Sequence, residues 1–240
     1  ELQFVRDALG PAFKRAGINA KIYAFDHNYN YDDIIDEEDY TLKIYNDEEA
    51  AAFLTGAAYH NYGGNREELL DVGYKRPDKE LIFTETSIGM WNDGRNLSKR
   101  LTDDMREVAL GTINNGCKAV VVRNLMLDSE RGPNREGGCQ TCYGAVDIDR
   151  SNYSDITYNS HYYIIGHLSK VVKPGAVRVQ TKMPVTPKGL MCSAFVNPDK
   201  TMAFVCMNEA THPIEFSVSA NGKDYINYTI PARAVASFRW

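Results

Sequence analysis

Short apolar runs recur through the first 170 residues at 20–25 (AKIYAF), 56–60 (GAAYH), 80–85 (ELIFTE) and 118–124 (KAVVVRN). Apolar runs of this length, rich in β-branched and aromatic residues, read as strands buried on both faces. Between them the apolar positions return every three to four residues, which predicts helices near 2–16, 47–53, 65–71, 102–115 and 158–170. The order is four βα units preceded by a helix, the pattern of an α/β protein with a parallel sheet. After Lys173-Pro174-Gly175 the period drops to two. In GLMCSAFVNPDKTMAFVCMN (189–208) the segment Asn197-Pro198-Asp199-Lys200 turns one strand back on the next. Further strands near 213–219, 224–230 and 233–239 make this tail part of an antiparallel β-sandwich. The expected division is 1–173 for the βα part and 174–240 for the sandwich.

The polar residues gather at one end of the βα strands. Asp26, His27 and Asn28 follow the first strand, His60, Asn61 and Tyr62 close the second, Glu85 closes the third, and Arg123, Asn124 and Asp128 close or follow the fourth. A single acid at a strand end, such as Glu85 in LIFTETSIGMWNDG (81–94), is often no more than a solvated surface carboxylate. Four tips carrying acids, histidines and asparagines describe a site instead, because in a β/α barrel the carboxyl ends of all strands open on one mouth. Two strand-end carboxylates facing a sugar suffice for glycoside hydrolysis. One attacks the anomeric carbon and the other protonates the leaving oxygen, at roughly 5 Å separation when configuration is retained. His27, His60, Asp26 and Glu85 are also metal-ligand types, but no short-spaced histidine pair is present, which counts against a metal site.

Composition narrows the partners. The chain has 240 residues, 43% of them hydrophobic, enough for a sizeable core, and its net charge of −5 comes without a basic stripe, which argues against nucleic acid. No apolar run approaches the roughly 18 residues of a membrane helix. The opening ELQFVRDALGPAFKRAG reads as an amphipathic helix and not as a signal peptide, so the chain is expected to begin inside a larger protein. Fifteen tyrosines and nine phenylalanines suit a groove that stacks on sugar faces, besides their ordinary place in cores. The five cysteines are too scattered for a disulfide scaffold. Cys139 and Cys142 in GGCQTCYG form either a small disulfide loop or two plain thiols, with zinc ranked last for want of a second ligand pair.

Several of these stretches are distinctive in combination. IYAFDHN (22–28), GAAYHNYGG (56–64), LIFTETSIG (81–89), RNLMLDSERGPN (123–134) and HYYIIGHLSKVVKPGAVRV (161–179) resemble, in this order, segments of glycoside hydrolase family 30, which includes glucosylceramidases and microbial endo-β-1,6-glucanases. The resemblance covers nearly the whole chain, and GGCQTCYGAV looks more like the β-1,6-glucanase branch. It implies retaining glycosidases built on a (β/α)8 barrel with an attached β-sandwich. This chain would then hold the second half of the barrel followed by the sandwich, without strands one to four.

Carried over by position, the resemblance makes Glu85 the nucleophile at the end of the seventh barrel strand. It places His60 and Tyr62 on the sixth strand lining the cleft, Asp26, His27 and Asn28 on the fifth on the leaving-group side, and Trp91 in the following loop as a sugar platform. Two departures stand out. Arg123-Asn124 occupies the eighth-strand position where the family usually has Trp-Asn, and an arginine hydrogen-bonds well but offers no apolar sugar platform. No Asn-Glu-Pro, the family's acid/base motif, occurs in the chain. The implied function is hydrolysis of β-1,6-glucan or a related β-glucoside through a covalent glycosyl-enzyme. The alternative is a glycan-binding or assembly module that has lost hydrolysis. No cofactor is expected. The expected partners are a β-linked glycan and the missing half of the barrel, on the same or a separate chain, in an extracytoplasmic or secreted setting.

Overall fold

The structure, a computed structural model, describes residues 1–29 and 40–240. A helix over residues 2–16, wound as π-helix at Phe4–Leu9, ends in α1 (Gly10–Ala16). There follow β1 (Tyr23–Asn28), α2 (Tyr40–Tyr45), α3 (Glu48–Phe53), β2 (Gly56–His60), α4 (Glu68–Lys75), β3 (Glu80–Glu85), β4 (Ile88–Gly89), α5 (Leu97–Asp104), α6 (Leu110–Asn114) and β5 (Cys117–Val120). Next come β6 (Met126–Asp128), β7 (Cys142–Tyr143), β8 (Val146–Ile148), β9 (Ile156–Tyr158), α7 (Ser160–Ser169), β10 (Val177–Val179), β11 (Leu190–Val196), β12 (Met202–Asn208), β13 (Ile214–Val218), β14 (Ile226–Ile230) and β15 (Ala234–Arg239). The chain forms two compact units: residues 1–86 with 112–121, and residues 87–111 with 122–240.

The first unit is built on a parallel sheet in the order β1-β2-β3-β5, which is also the chain order. The expected burial on both faces holds for β2, which is buried from Gly56 to Tyr59, whereas β3 buries Leu81 and Phe83 and leaves Ile82 and Thr84 half-buried, and β5 buries Cys117 alone. Tyr59 and Phe83 from the strands and Ile44, Tyr45 and Leu69 from the helices are fully buried. Gly56 lies so near β3 that a Cβ there would stand 1.9 Å from the Glu80 carbonyl oxygen, so no larger residue fits. The helices are shifted or extended where local chemistry dictates. α4 begins three residues later than the apolar pattern predicts, after a turn in which the Asn65 side chain accepts from the Glu67 amide at 3.2 Å. It ends at Lys75 because Pro77 disfavours helical backbone at Arg76. Strand β5 is shorter than the predicted 118–124. Its pairing with β3 slips register between Leu81 and Phe83, and Val121 keeps only an irregular bond, its amide donating to the Phe83 carbonyl at 2.8 Å.

At the amino ends of these strands Glu80 gathers three partners. Its carboxylate accepts from Lys21 at 2.8 Å, Tyr23 at 2.6 Å and Lys118 at 3.2 Å, and these hold its pKa down to about 2, with Lys21 the largest cause. A carboxyl depressed in the folded state contributes stability that is complete above its unfolded pKa of about 4.3 and is lost as pH falls toward 2. Because Lys21 and Lys118 are well exposed, the contribution is on the order of 1 kcal/mol. Glu80→Gln is expected to flatten the acid limb of a stability-versus-pH curve between about pH 4.5 and 2. An unchanged limb would remove Glu80 as its source.

In the second unit an antiparallel sheet, β10-β11-β12-β15, carries one apolar face against the β13–β14 hairpin. Cys192, Ala194, Phe204, Cys206 and Ala236 on the sheet meet Ile214 and Ile230 on the hairpin. The alternate residues of β12, Ala203, Val205 and Met207, are also buried, since α5 and α7 pack on β15 from the same unit. His167 Nδ1 lies 2.7 Å from Ser237 Oγ there, and Arg106 pairs with Glu209. The Asn197–Lys200 turn forms as predicted. Buried Asn197 also accepts from the Lys173 amide at 2.9 Å and donates to the Val171 carbonyl at 3.0 Å, so the turn fastens the segment leading into β10. Among the described residues no helix is long and apolar enough to cross a membrane.

Candidate active site

Parallel strands in common register bring their carboxyl ends level. Asn28 on β1 pairs with His60 on β2, and His60 pairs with Glu85 on β3, so three polar tips stand in one row. Tyr62, just past β2, ties the row together. Its hydroxyl donates to Glu85 Oε1 at 3.2 Å and its amide donates to Asn28 Oδ1 at 3.1 Å. The loop can turn here because Gly64 takes a left-handed φ of 73°, and a Cβ at that position would meet the Tyr29 carbonyl oxygen at 2.0 Å.

Asp26 joins the row by a different device. The β1–β2 ladder skips it between Phe25 and His27, and both Phe25 (φ 76°) and Asp26 (φ 49°) lie in the left-handed region. A bulge of this kind re-aims one side chain out of the strand's alternation, and strained backbone in non-glycine residues gathers where such aiming matters. The Asp26 Oδ1 so placed lies 3.2 Å from His60 Nε2 and accepts from the Thr84 hydroxyl at 2.7 Å. His60 is largely buried, and the His27 ring stands edge-on to it with centroids 6.2 Å apart. Asp26, His27, Asn28, His60, Tyr62 and Glu85, six residues expected at the site, thus form one linked cluster. Thr84 is an addition to them. The only hint of it in the sequence is that threonines flank Glu85, and which one bonds to Asp26 depends on the bulge.

Trp91, Arg123 and Asn124 belong to the second unit. Trp91 sits half-exposed in the short turn Met90–Asn92 that follows β4. Arg123 bridges to Ser87, and Asn124 accepts at its carbonyl from the Ala145 amide at 2.7 Å. Arg123 and Asn124 line a cavity of about 210 Å³ together with Arg131, Asn134, Arg135 and Cys139. Asp128, expected among the polar tips, is a turn cap instead: its Oδ1 accepts from the amides of Glu130 at 2.9 Å and Gly132 at 2.7 Å. The choice left open for the cysteines resolves as a Cys139–Cys142 disulfide with its Cα atoms 5.7 Å apart. Cys142 pairs with Gly89 of β4, so the bond fastens the cavity's rim to that ribbon. Beside it Arg95 stacks 4.3 Å above the Tyr143 ring and reaches buried Asp147 at 3.1 Å, which also accepts from Asn159 at 2.9 Å.

Two family profiles match the chain: residues 1–172 match the glycosyl hydrolase family 30 TIM-barrel domain, and residues 175–238 match that family's beta sandwich domain. The chain belongs to glycosyl hydrolase family 30. Its parallel sheet is accordingly part of a TIM barrel, and the β10-β11-β12-β15 sheet and the β13–β14 hairpin lie in the sandwich domain of family 30. Among solved structures, the endo-beta1,6-glucanase BT3312 is 61% identical with a TM-score of 0.96, aligned over 100% of this chain and 53% of that one. SrfJ from Salmonella typhimurium is 27% identical with a TM-score of 0.86, over 100% of this chain and 52% of its own. The endo-1,6-beta-D-glucanase neg1 of Aspergillus fumigatus is 25% identical over 245 residues, 98% of this chain and 46% of that enzyme. The chain therefore spans about half the length of the family 30 relatives it matches.

Proposed function

We propose that the chain is part of a retaining β-glycosidase that cleaves β-1,6-linked glucan, with Glu85 as the nucleophile. The observation that carries this reading is the position of Glu85: a carboxylate at the carboxyl tip of a parallel strand, in register with His60 and Asn28 and held at Oε1 by the Tyr62 hydroxyl. A carboxylate fixed in this way keeps one geometry while a sugar approaches, which is what attack on an anomeric carbon needs.

In the first step a Glu85 oxygen forms a bond to the anomeric carbon as the bond to the leaving sugar oxygen breaks, and that oxygen takes a proton from a general acid. This chain has no Asn-Glu-Pro, so the acid is assigned to a part of the complete protein outside these 240 residues. In the second step water, deprotonated by the same group, displaces Glu85. Asp26 and Thr84 fix the His60 ring and its protons, and His27, Asn28 and His60 face the sugar hydroxyls. Trp91, Arg123 and Asn124 are assigned to the glycan from their positions in the family pattern. The identity to BT3312 favours β-1,6-glucan among family 30 substrates.

A glycan-binding or assembly module without hydrolysis is the second reading, favoured by Arg123 in place of the usual tryptophan. An activated 2-fluoro aryl β-glucoside, whose leaving group needs little protonation, separates the two. The complete protein is expected to gain the mass of one fluoroglucosyl residue on the peptide containing Glu85. Saturable binding of the glycan with no adduct would favour the module.

A further inference from the structure

Trp91, assigned above to the glycan, stands half-exposed in the turn Met90–Asn92, and the β4–β7 ribbon before it has two residues in each strand. A two-stranded ribbon this short is marginal by itself in water. The turn closes on its own backbone: the Gly94 amide donates to the Gly89 carbonyl at 2.9 Å, and the Gly89 amide donates to Asn92 Oδ1 at 3.0 Å. These bonds shape the loop, and the indole ring takes its place from other neighbours. A Cβ on Gly89 would stand 2.0 Å from Trp91 Cζ3, 2.4 Å from Cη2 and 2.5 Å from the Thr141 carbonyl oxygen, so the ring edge and that carbonyl both lie against the bare Cα. Gly89 has extended backbone (φ −174°), which any residue adopts, and what the glycine supplies is space. The same Thr141 carbonyl accepts from the Met90 amide at 3.0 Å, immediately before Trp91.

Thr141 lies inside the small ring that the Cys139–Cys142 disulfide closes. One end of that ring is anchored. Cys142 is buried and pairs with Gly89, Tyr143 pairs with Ile88 and lies 4.3 Å under Arg95, and the Gly144 amide donates to buried Asp147 at 2.9 Å. The remainder is open to solvent, with Gln140 and Thr141 exposed and Cys139 partly so. The disulfide ties the open end to the anchored one and so fixes the peptide whose carbonyl meets Met90 and Gly89. All of these residues belong to the second unit. We propose that the Cys139–Cys142 loop and Gly89 form a clasp that sets the pose of Trp91 for stacking on a pyranose ring. Gly89, Thr141 and the two cysteines are then positioning residues for glycan binding, an inference that rests on the assignment of Trp91 to the glycan. A side chain free to turn must be ordered when its ligand arrives, which costs affinity, and the clasp orders it beforehand. Because Cys139 is partly exposed, a dithiol reaches the bond. The S–S bond takes two electrons and two protons to give two thiols, and the dithiol leaves as its cyclic disulfide. The platform is thereby sensitive to the redox state around it.

The test uses fluorine NMR of the complete protein grown with 5-fluorotryptophan, in which the Trp91 signal is identified by its loss in Trp91→Phe. A β-1,6-linked gluco-oligosaccharide is expected to shift that signal saturably. Cys139→Ala combined with Cys142→Ala is expected to move and broaden the Trp91 signal before any sugar is added. It should also weaken binding roughly three-fold or more, part of the roughly ten-fold lost in Trp91→Ala. In a Trp91→Ala background the same cysteine substitutions should cost less than about two-fold, because a clasp acts through the ring it holds. If the double substitution fails to fold, wild-type protein reduced by a dithiol, with its circular dichroism unchanged, carries the same expectation. An unchanged Trp91 signal and affinity after loss of the disulfide would overturn the proposal. A loss of affinity as large without Trp91 as with it would overturn it too, as a merely structural bond. If Trp91→Ala binds as tightly as the wild type, the assignment of Trp91 to the glycan fails and takes the clasp's role with it. If Trp91→Ala weakens binding and loss of the disulfide does not, only the clasp fails. The Glu85 adduct is read independently of either result.

Discussion

Glu85→Gln in the complete protein is expected to lower turnover of β-1,6-glucan by three decades or more, about 4 kcal/mol of barrier, while glycan binding changes by no more than a few-fold. The amide is nearly the size of the carboxylate, and its carbonyl oxygen accepts from the Tyr62 hydroxyl as Glu85 Oε1 does at 3.2 Å. The row of Asn28, His60 and residue 85 therefore persists, and only the nucleophilic charge is removed. A residue that merely lined the cleft would cost a few-fold when made neutral. The measurement is kcat and KM on the glucan, with circular dichroism to show the variant is folded. A folded variant with near-full hydrolysis would end the nucleophile assignment, and with it the register of the family comparison. A rise in KM alone would make Glu85 a binding residue.

What the sequence discloses about this cluster follows from where its short apolar runs stop. His60 and Glu85 close apolar runs, Asn28 follows one, and parallel neighbours have level ends, so that part of the site is legible in the amino-acid pattern. The contact between Asp26 and His60 is not, because it depends on a bulge at Asp26 that no local pattern announces: Phe25 and Asp26 are ordinary residues in an unusual backbone region. Thr84 is hidden for the same reason. The apolar pattern ends β1 three residues early because Asp26, His27 and Asn28 look like loop residues, although they continue the strand to its tip.

The loop after β6 shows a different limit. RNLMLDSERGPNRE announces a high charge, but reading it requires knowing which acids are spent. Asp128 looks like a site acid and serves as a turn cap, and Glu130 is paired with Arg150, so neither acid is among the residues that line the cavity beside Arg131 and Arg135. Sequence shows how many charges a loop has, and the backbone decides which of them cancel. Cys139 and Cys142 fall between these cases. A spacing of three allows either state, and the pairing of Cys142 with Gly89 brings a second segment to the bond, which spacing alone does not reveal.

Residues 1–240 expressed alone are expected to self-associate. β1 and β5 are the outer strands of the parallel sheet, each hydrogen-bonded to a neighbouring strand on one side only among the described residues. Edges of this kind template further pairing, and parallel strands are stable in water when the sheet closes on itself or is covered on both faces. Among the described residues Lys118 is the charged side chain on the β5 edge, and Ala119 and Val121 are exposed beside it, Val121 to 52%. Phe4 and Ile18, near the β1 side of the chain order, are exposed to 58% and 49%. In a complete TIM barrel both edges find partner strands, which removes the template and covers the apolar side chains in one step. Sedimentation velocity of the 240-residue chain should therefore show species that grow with concentration up to about 50 μM, with a broad thermal transition. The protein with its remaining barrel strands should sediment as one species and melt cooperatively. A monomeric 240-residue chain with a single cooperative melt would mean that the two edges are protected within the chain itself, and that the half-barrel is a domain in its own right.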